Sequence, residues 1–426
     1  MYINKSKLNV TYILFTLLAV FIVDVLNYLN FSQNNFGLKS YFTLFLSYIS
    51  FFLVFRYYLK SRNKFRHLKN NRLFNIWLFY VAISLIRGFF LASNYWDYKF
   101  LFVSAFGLTF ICTIFYLGQN MVITKKIITF YVKKILPLSL IILPLTYLIS
   151  EQLFSRLVMP VGYLLVFIPY LKKKWRLFFI LIICISILSN IGARTNIIKY
   201  VISILTLSLY YVNFFLRPFF LKIFLVLIVL IPVILFSLGL TNNYNIFNEF
   251  SNIEIYNVED TNSGTLKSQT TDTRTFLYQE VMSDLINNNS LIFGKSPSKG
   301  YFTNAFYDFG GAIENTRYKT EVNILNIFLF YGFFGVILYL LLLISICSLG
   351  LFKSKNRLAK MLAILLGSHL LISFIAESTT FNINIYFFWL FLGLVASKPF
   401  RTMDEHQIKL WVRGILNKSY NQNQPS

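Results

Sequence analysis

The sequence predicts an all-α polytopic membrane protein with about twelve transmembrane helices and one large outer loop between helices 9 and 10. Three observations carry this. Of the 426 residues, 57% are hydrophobic and only 13% are charged, about half the roughly 25% charged share of a soluble domain. The apolar residues gather in long runs, many of them near the roughly 20 residues needed to cross a bilayer core of about 30 Å. The basic residues fall in short clusters between those runs, as the positive-inside rule produces.

In chain order the runs cover 10–29, 38–59, 73–92, 100–119, 135–150, 157–171, 177–191, 195–216, 219–240, 320–349, 358–377 and 381–397. The first follows Lys5 and Lys7, exceeds a signal-peptide core and has no small-residue cleavage site after it, so it is expected to be retained. The fifth, sixth and seventh are short for a full crossing. Pro137, Pro144, Pro160 and Pro169 fall in or near the fifth and sixth, which predicts kinked or re-entrant helices there. Losing both of that pair keeps the topology; losing one inverts everything downstream. The division is then 1–240 for helices 1–9, 241–319 for the large loop, 320–397 for helices 10–12 and 398–426 for a tail.

Charge orients the chain. With a cytoplasmic N terminus, one side receives 28 of the 40 Lys and Arg residues, and only two of the 16 acids, Asp404 and Glu405. Both termini are therefore expected in the cytoplasm. The net charge of +24 is accounted for by topology, and no nucleic-acid partner is expected. Cys112, Cys184 and Cys347 lie inside apolar runs and read as small core hydrophobes, with neither disulfide nor zinc spacing.

The loop changes character along its length. Residues 242–271 are rich in Asn, Ser, Thr and Glu and read as irregular. Asp272 or Thr273 then caps a short amphipathic helix with Phe276, Leu277, Val281 and Leu285 toward one side. Gly294, Pro297, Gly300, Gly310 and Gly311 punctuate the rest of the loop. No repeat of 20–50 residues and no clear two-half symmetry is visible.

Ionisable groups at the edges of apolar runs are the candidates for chemistry, because a charge at a helix centre costs about 2.5–3.5 kcal/mol on insertion scales. Arg194 stands between the seventh and eighth runs, Lys199 lies deeper in the eighth, and Arg87 is near the outer end of the third. For Arg194 and Arg87 the alternative is a side chain snorkelling to the interface. Arg274 opens the amphipathic helix, or is a solvated surface charge. Arg317 and Glu321 are four apart and either belong to a site or form a local ion pair, with Glu321 in the first turn of a helix capped by Thr320. Lys319 joins them at the membrane boundary. His369 and Glu377, eight apart, share a face of the eleventh run; they line a cavity, or His369 is packed in the core. There is no Walker A loop, G-x-G-x-x-G, H-E-x-x-H, G-x-S-x-G or D-x-D. With three histidines in the chain, no metal and no cofactor are expected. A phosphate-bearing ligand would then be neutralised by Arg and Lys, and the planar guanidinium suits paired phosphate oxygens.

Three segments carry a resemblance. SNIGARTN before a span resembles a Ser/Gly-then-Arg helix entry. RTFLYQEVMSDLINNNSLIFGKSPSKGYF resembles an Arg-led helix running into a Phe-Gly-x-Gly-like turn, without the second early glycine. TEVNILNIFLFYGFFGVILYL resembles an H-N-x-x-L…G-x-x-G re-entry helix. Together they resemble the Wzy-type polysaccharide polymerases and the related O-antigen ligases, over about a quarter of the chain.

The resemblance implies a glycosyltransferase of the bacterial inner membrane that builds surface polysaccharide such as O-antigen or capsule. Its substrates would be oligosaccharides on polyprenyl (undecaprenyl) pyrophosphate, its surroundings the lipid bilayer, and a chain-length regulator a possible partner. Arg194 and Arg274 match the two arginines thought to hold the lipid pyrophosphate. Asn323, Gly332 and Gly335 match the re-entry helix. Glu321 stands near where ligases and many polymerases have a His, which leaves the general base between Glu321 and an unmatched residue. Arg317 and Lys319 are candidates for sugar or diphosphate contacts. The other class to weigh is a flippase of the same lipid-linked sugars, which would favour two similar halves and no large outer loop.

Overall fold

The computed structural model describes residues 3–28, 37–65, 69–105, 110–149, 151–189, 194–241, 257–259, 266–268, 275–303, 316–376 and 381–416. These are overwhelmingly helical. The chain begins with α1 (Ile3–Tyr28), α2 (Gly37–Phe65), α3 (Lys69–Leu91), α4 (Tyr95–Ala105), α5 (Ile114–Gly118), α6 (Met121–Phe130), α7 (Leu136–Ile149) and α8 (Glu151–Val158). It continues through α9 (Val161–Leu165), α10 (Lys173–Ser189), α11 (Arg194–Tyr211) and α12 (Pro218–Thr241). The polar segment holds two antiparallel strand pairs, β1 (Asn257–Glu259) with β2 (Leu266–Ser268) and β3 (Tyr301–Phe302) with β4 (Thr316–Arg317), and between them α13 (Thr275–Asn287). After it come α14 (Asn323–Phe352), α15 (Arg357–Ser373), α16 (Ile383–Ala396), α17 (Lys398–Thr402) and α18 (Glu405–Leu416).

Among the described residues, Phe42–Leu59, Arg72–Leu91, Met121–Pro144 and Asn323–Phe352 are long and apolar enough to cross a membrane. Shorter apolar helices lie at Thr11–Asn27, Pro218–Ile234 and Ile383–Ala396. All fourteen residues of α16 are buried, as expected of a helix that is apolar all round. Asp24 of α1, itself buried, accepts the Ile383 N–H at 2.7 Å, and Asn382 accepts that of Ile385 at 2.8 Å, so the N terminus of this core helix is doubly capped.

The middle of the chain departs from the sequence reading. Of the expected fourth run, 100–119, the described residues form the end of α4, to Ala105, and, from Ile111, a 3-10 turn leading into α5. The cluster Lys125, Lys126, Lys133 and Lys134, which falls between the fourth and fifth apolar runs, is helical. Asn120 accepts from the N–H groups of Val122 and Ile123 and starts a rod that runs through a π-turn, Tyr131–Ile135, into α7. Ile123, Ile127 and Ile128 are buried while Lys126, Lys133 and Lys134 are exposed, so the lysines ride one face of an amphipathic helix. The sixth run, where the prolines predict a kinked or re-entrant helix, is a broken, buried segment: α8, α9 and a 3-10 turn at Ile168–Tyr170. Pro160 and Pro169 sit at the breaks. Short-range bonds such as Gly162 N–H to Met159 O (3.0 Å) and Phe167 N–H to Leu164 O (3.0 Å) satisfy the backbone there, which a buried irregular segment requires.

The tail also folds. Ile408, Trp411, Val412 and Ile415 of α18 are buried, and Thr129 Oγ1 of α6 donates to Ile415 O at 2.9 Å. Asn356 caps α15 through Ala359 N–H and donates to Phe400 O and Met403 O.

Candidate functional site

The site is built on a break in α14. Gly332 has φ +66° and ψ −169°, a region that only glycine enters without strain, so the helix divides into 323–331 and 333–352. A break frees backbone groups that must find partners when buried. Leu329 O accepts from Lys295 N–H at 2.7 Å, and Leu291 O and Ile292 O take the N–H groups of Phe333 (2.9 Å) and Phe334 (3.2 Å). Phe330 O accepts from Ser84 Oγ at 3.0 Å and Tyr331 O from Tyr80 Oη at 2.6 Å. Arg87 Nη2 then holds the docked turn itself, donating to Phe293 O at 2.8 Å and Gly294 O at 2.9 Å. Tyr80, Ser84 and Arg87 are spaced i, i+4, i+7 and so share one face of α3. Gly294, at φ +69°, touches Gly332 backbone to backbone. The polar segment is thus locked to α14 at its kink.

Beside this lock opens a cleft of about 720 Å³, within the rough range of 300–1,000 Å³ for small-ligand sites. Arg87 lies in its wall, together with the turn into α4, the end of α13 and the strand β4. Two lining or adjoining residues hold left-handed backbone without being glycine: Asn289 at φ +50° and Ser296 at φ +78°. Asp97 is the electrostatic centre and is 2% exposed. Its Oδ2 accepts from Lys299 Nζ at 2.5 Å, Ser93 N–H at 2.9 Å and Ser93 Oγ at 3.0 Å, and its Oδ1 from Tyr318 Oη at 2.8 Å. Burial alone would raise the Asp97 carboxyl. The Lys299 ammonium, the Ser93 N–H and hydroxyl and the Tyr318 hydroxyl outweigh it and hold the group below the usual carboxylate range. Tyr318 is shifted the other way, upward, by burial and by its bond to Asp97. Lys295 pairs with Asp284 and donates to Gly300 O at 3.3 Å. Both lysines of the cleft are therefore neutralised, and among the described residues Arg87 makes no ion pair.

The other side of the small sheet carries a second cluster. Tyr301 stands opposite Arg317 in the register of β3 and β4. Thr316 and Tyr318 line the cleft, and alternation along a strand turns Arg317 away from it. Arg317 Nη2 lies 3.5 Å from Glu321 Oε1, with Glu321 47% exposed. Tyr301 is buried and its phenol is pushed up to about 12: burial is the main cause, Arg317 opposes it, and Glu280 and Glu321 add to it. Glu280 Oε2 accepts from Thr303 Oγ1 at 2.8 Å. An accessible carboxylate beside a guanidinium can accept a proton from a hydroxyl placed against it.

The expected cap on α14 is corrected. The N-cap is Val322, and no side chain caps the helix. Thr320 is engaged by Asn326, whose Oδ1 accepts from Thr320 N–H at 2.7 Å and whose Nδ2 donates to Thr320 O at 2.9 Å. Glu321 is left on a bend before the helix. The expected ion pair with Arg317 is present. Lys319 is half-buried at the same boundary.

Of the remaining candidates, Lys199 and His369 lie on other helices, α11 and α15. Arg194 opens α11, but its side chain is outside the described residues, and so are Arg274 and Glu377 entirely. Of the amphipathic helix, Leu277, Val281 and Leu285 are buried as expected; the candidate caps Asp272 and Thr273 are outside the described residues. Lys199 is half-buried on α11, which packs on α15. His369 of α15 is 2% exposed and stacks on Phe388 at 4.2 Å between ring centroids, a packed position. Asn323 is 2% exposed, and its N–H donates to Ala376 O at 3.1 Å. Among the described residues, no group of three or more His, Cys, Asp or Glu is placed to hold a metal.

Sequence reasoning missed Asp97, Lys295, Lys299, Tyr318, Glu280 and Tyr301. The two lysines lie in the GKSPSKG turn, and their basic spacing in a glycine-punctuated loop was the available signal. No family model matches the chain, and neither a curated protein nor a solved structure matches it significantly.

Proposed function

We propose that this chain is an integral-membrane polysaccharide polymerase that transfers a glycan from a polyprenyl-pyrophosphate carrier to a lipid-linked repeat unit. Its frame is twelve spans in a bacterial cytoplasmic membrane, with both termini in the cytoplasm and the polar segment outside. One observation carries this reading: Glu321, half-exposed, is held 3.5 Å from Arg317 where the polar segment enters the buried start of α14. Reacting groups there would meet sugars from the aqueous side and a lipid carrier from the membrane side.

The chemistry is a direct displacement without a metal. The acceptor hydroxyl oxygen attacks the anomeric carbon and passes its proton to Glu321. The bond from that carbon to the carrier's phosphate oxygen breaks, and the pyrophosphate leaves with the electron pair. Arg194 and Arg274 stabilise the charge that develops on it. Attack from the face opposite the leaving group inverts the anomeric centre. Carboxylates act on sugars in this way because the transition state is oxocarbenium-like. Arg317 orients Glu321, and Lys319 contacts the substrate.

Arg194→Ala and Arg274→Ala, expressed at wild-type levels, are expected to replace long polymer with single repeat units. Normal chain lengths in either would remove that residue from the mechanism. The broken α14 favours a second reading, a flippase of the same lipid-linked sugars, since many secondary transporters build substrate sites at interrupted helices. Polymer formed by pure protein in detergent separates the two, because a transporter forms none.

A further inference from the structure

The cleft beside Arg87 has a charge balance that selects its ligand. Lys299 is matched by Asp97 and Lys295 by Asp284. Arg87 has no carboxylate partner among the described residues, so the cleft offers one uncompensated positive charge. Its guanidinium is also held in place. Nη2 is fixed by two backbone carbonyls, and Nε is buried without a hydrogen-bond partner. A planar group clamped along one edge cannot swing away, so its remaining N–H groups are pre-organised for an acceptor.

The rest of the wall is neutral, with Leu91 and Phe293 supplying apolar surface beside hydrogen-bonding groups. Asn94, Asn289, Ser290 and Thr316 present amides and hydroxyls, which suit ligand hydroxyl groups. A diphosphate, with two or more charges, would call for more than one free cation. A single carboxylate among hydroxyls matches what is present.

We propose that this cleft is a subsite for an acidic sugar unit, with the sugar carboxylate on Arg87 and its hydroxyls on the surrounding amides. This rests on the reading of the protein as a glycan polymerase and narrows its substrate to a repeat unit that carries a carboxylate. The site is separate from Glu321, which stands beyond the other face of β4.

The test uses the full chain purified in detergent and titrated calorimetrically with trigalacturonate, maltotriose and inorganic pyrophosphate. Trigalacturonate is expected to bind at least about tenfold more tightly than maltotriose, the margin one charge-assisted pair supplies. Arg87→Gln is expected to abolish that preference. Because Arg87 also anchors the turn, Asn289→Asp is the second variant. It places a negative charge at the cleft on a residue type that tolerates the left-handed conformation, and it is expected to weaken trigalacturonate several-fold while sparing maltotriose. Equal binding of the two trisaccharides, or no binding of either, overturns the proposal. Pyrophosphate binding lost in Arg87→Gln without any trisaccharide preference also overturns it and assigns the cleft to a lipid headgroup. Polymerisation of lipid-linked units by the same preparation is scored separately, so a polymerase with no acidic-sugar preference fails this inference alone.

Discussion

Gly294 and Gly332 meet backbone to backbone although 38 positions separate them in the chain. A Cβ on Gly294 would stand 2.6 Å from Gly332 N, and one on Gly332 would stand 2.3 Å from Ile292 O and 2.4 Å from Gly294 N. Both residues have positive φ. Neither the space nor the conformation admits a side chain, so this contact joins the polar segment to the broken helix.

Gly332→Ala is therefore expected to destabilise the protein by more than the roughly 1–3 kcal/mol of backbone strain alone, with Gly294→Ala similar. Because both break one contact, the double variant should cost less than the sum of the two. Unfolding midpoints in detergent measure this. Additive losses would show that the two glycines act independently.

Ser84→Ala removes the donor to Phe330 O, a carbonyl that the kink has freed. The expected loss is about 1–3 kcal/mol, the cost of an unsatisfied buried group. Ser139→Ala is the comparison: Ser139 Oγ donates at 3.0 Å to Ile135 O in its own helix, where such back-bonds add little. Equal thermal shifts in the two variants would mean that Phe330 O has another partner.

The helices were legible wherever an apolar run was long and unbroken, because length alone then decides. α3, α12, α14 and α16 lie close to their expected ranges. The interruptions at Pro160 and Pro169 were readable from the prolines themselves; the helix that Asn120 starts was not, because its lysines sit between two apolar runs. Arg87 was visible as a charge at a helix end. Its role was not, since its partners at Phe293 and Gly294 are more than 200 positions away. The Lys299–Asp97 pair was hidden for the same reason: 202 positions separate its members. The Arg317–Glu321 pair was readable because it is local.

Asp97 gives a pH dependence with a definite sign. Its folded carboxyl titrates below the usual range, so its stabilisation is complete above the unfolded value, about 3.9. It is lost as pH falls through the lowered folded value. Wild type should therefore be more stable than Asp97→Asn at neutral pH, and the two should converge on acidification. A constant gap down to pH 3 would show that the carboxylate charge contributes nothing.

The most direct measurement is polymer formation by the purified full chain supplied with polyprenyl-pyrophosphate-linked repeat units in detergent, resolved by gel. The expected result is a ladder of lengthening products from wild type and none from folded Glu321→Gln. A ladder of wild-type length from Glu321→Gln, or no ladder from folded wild type, would contradict the proposed transfer at Glu321.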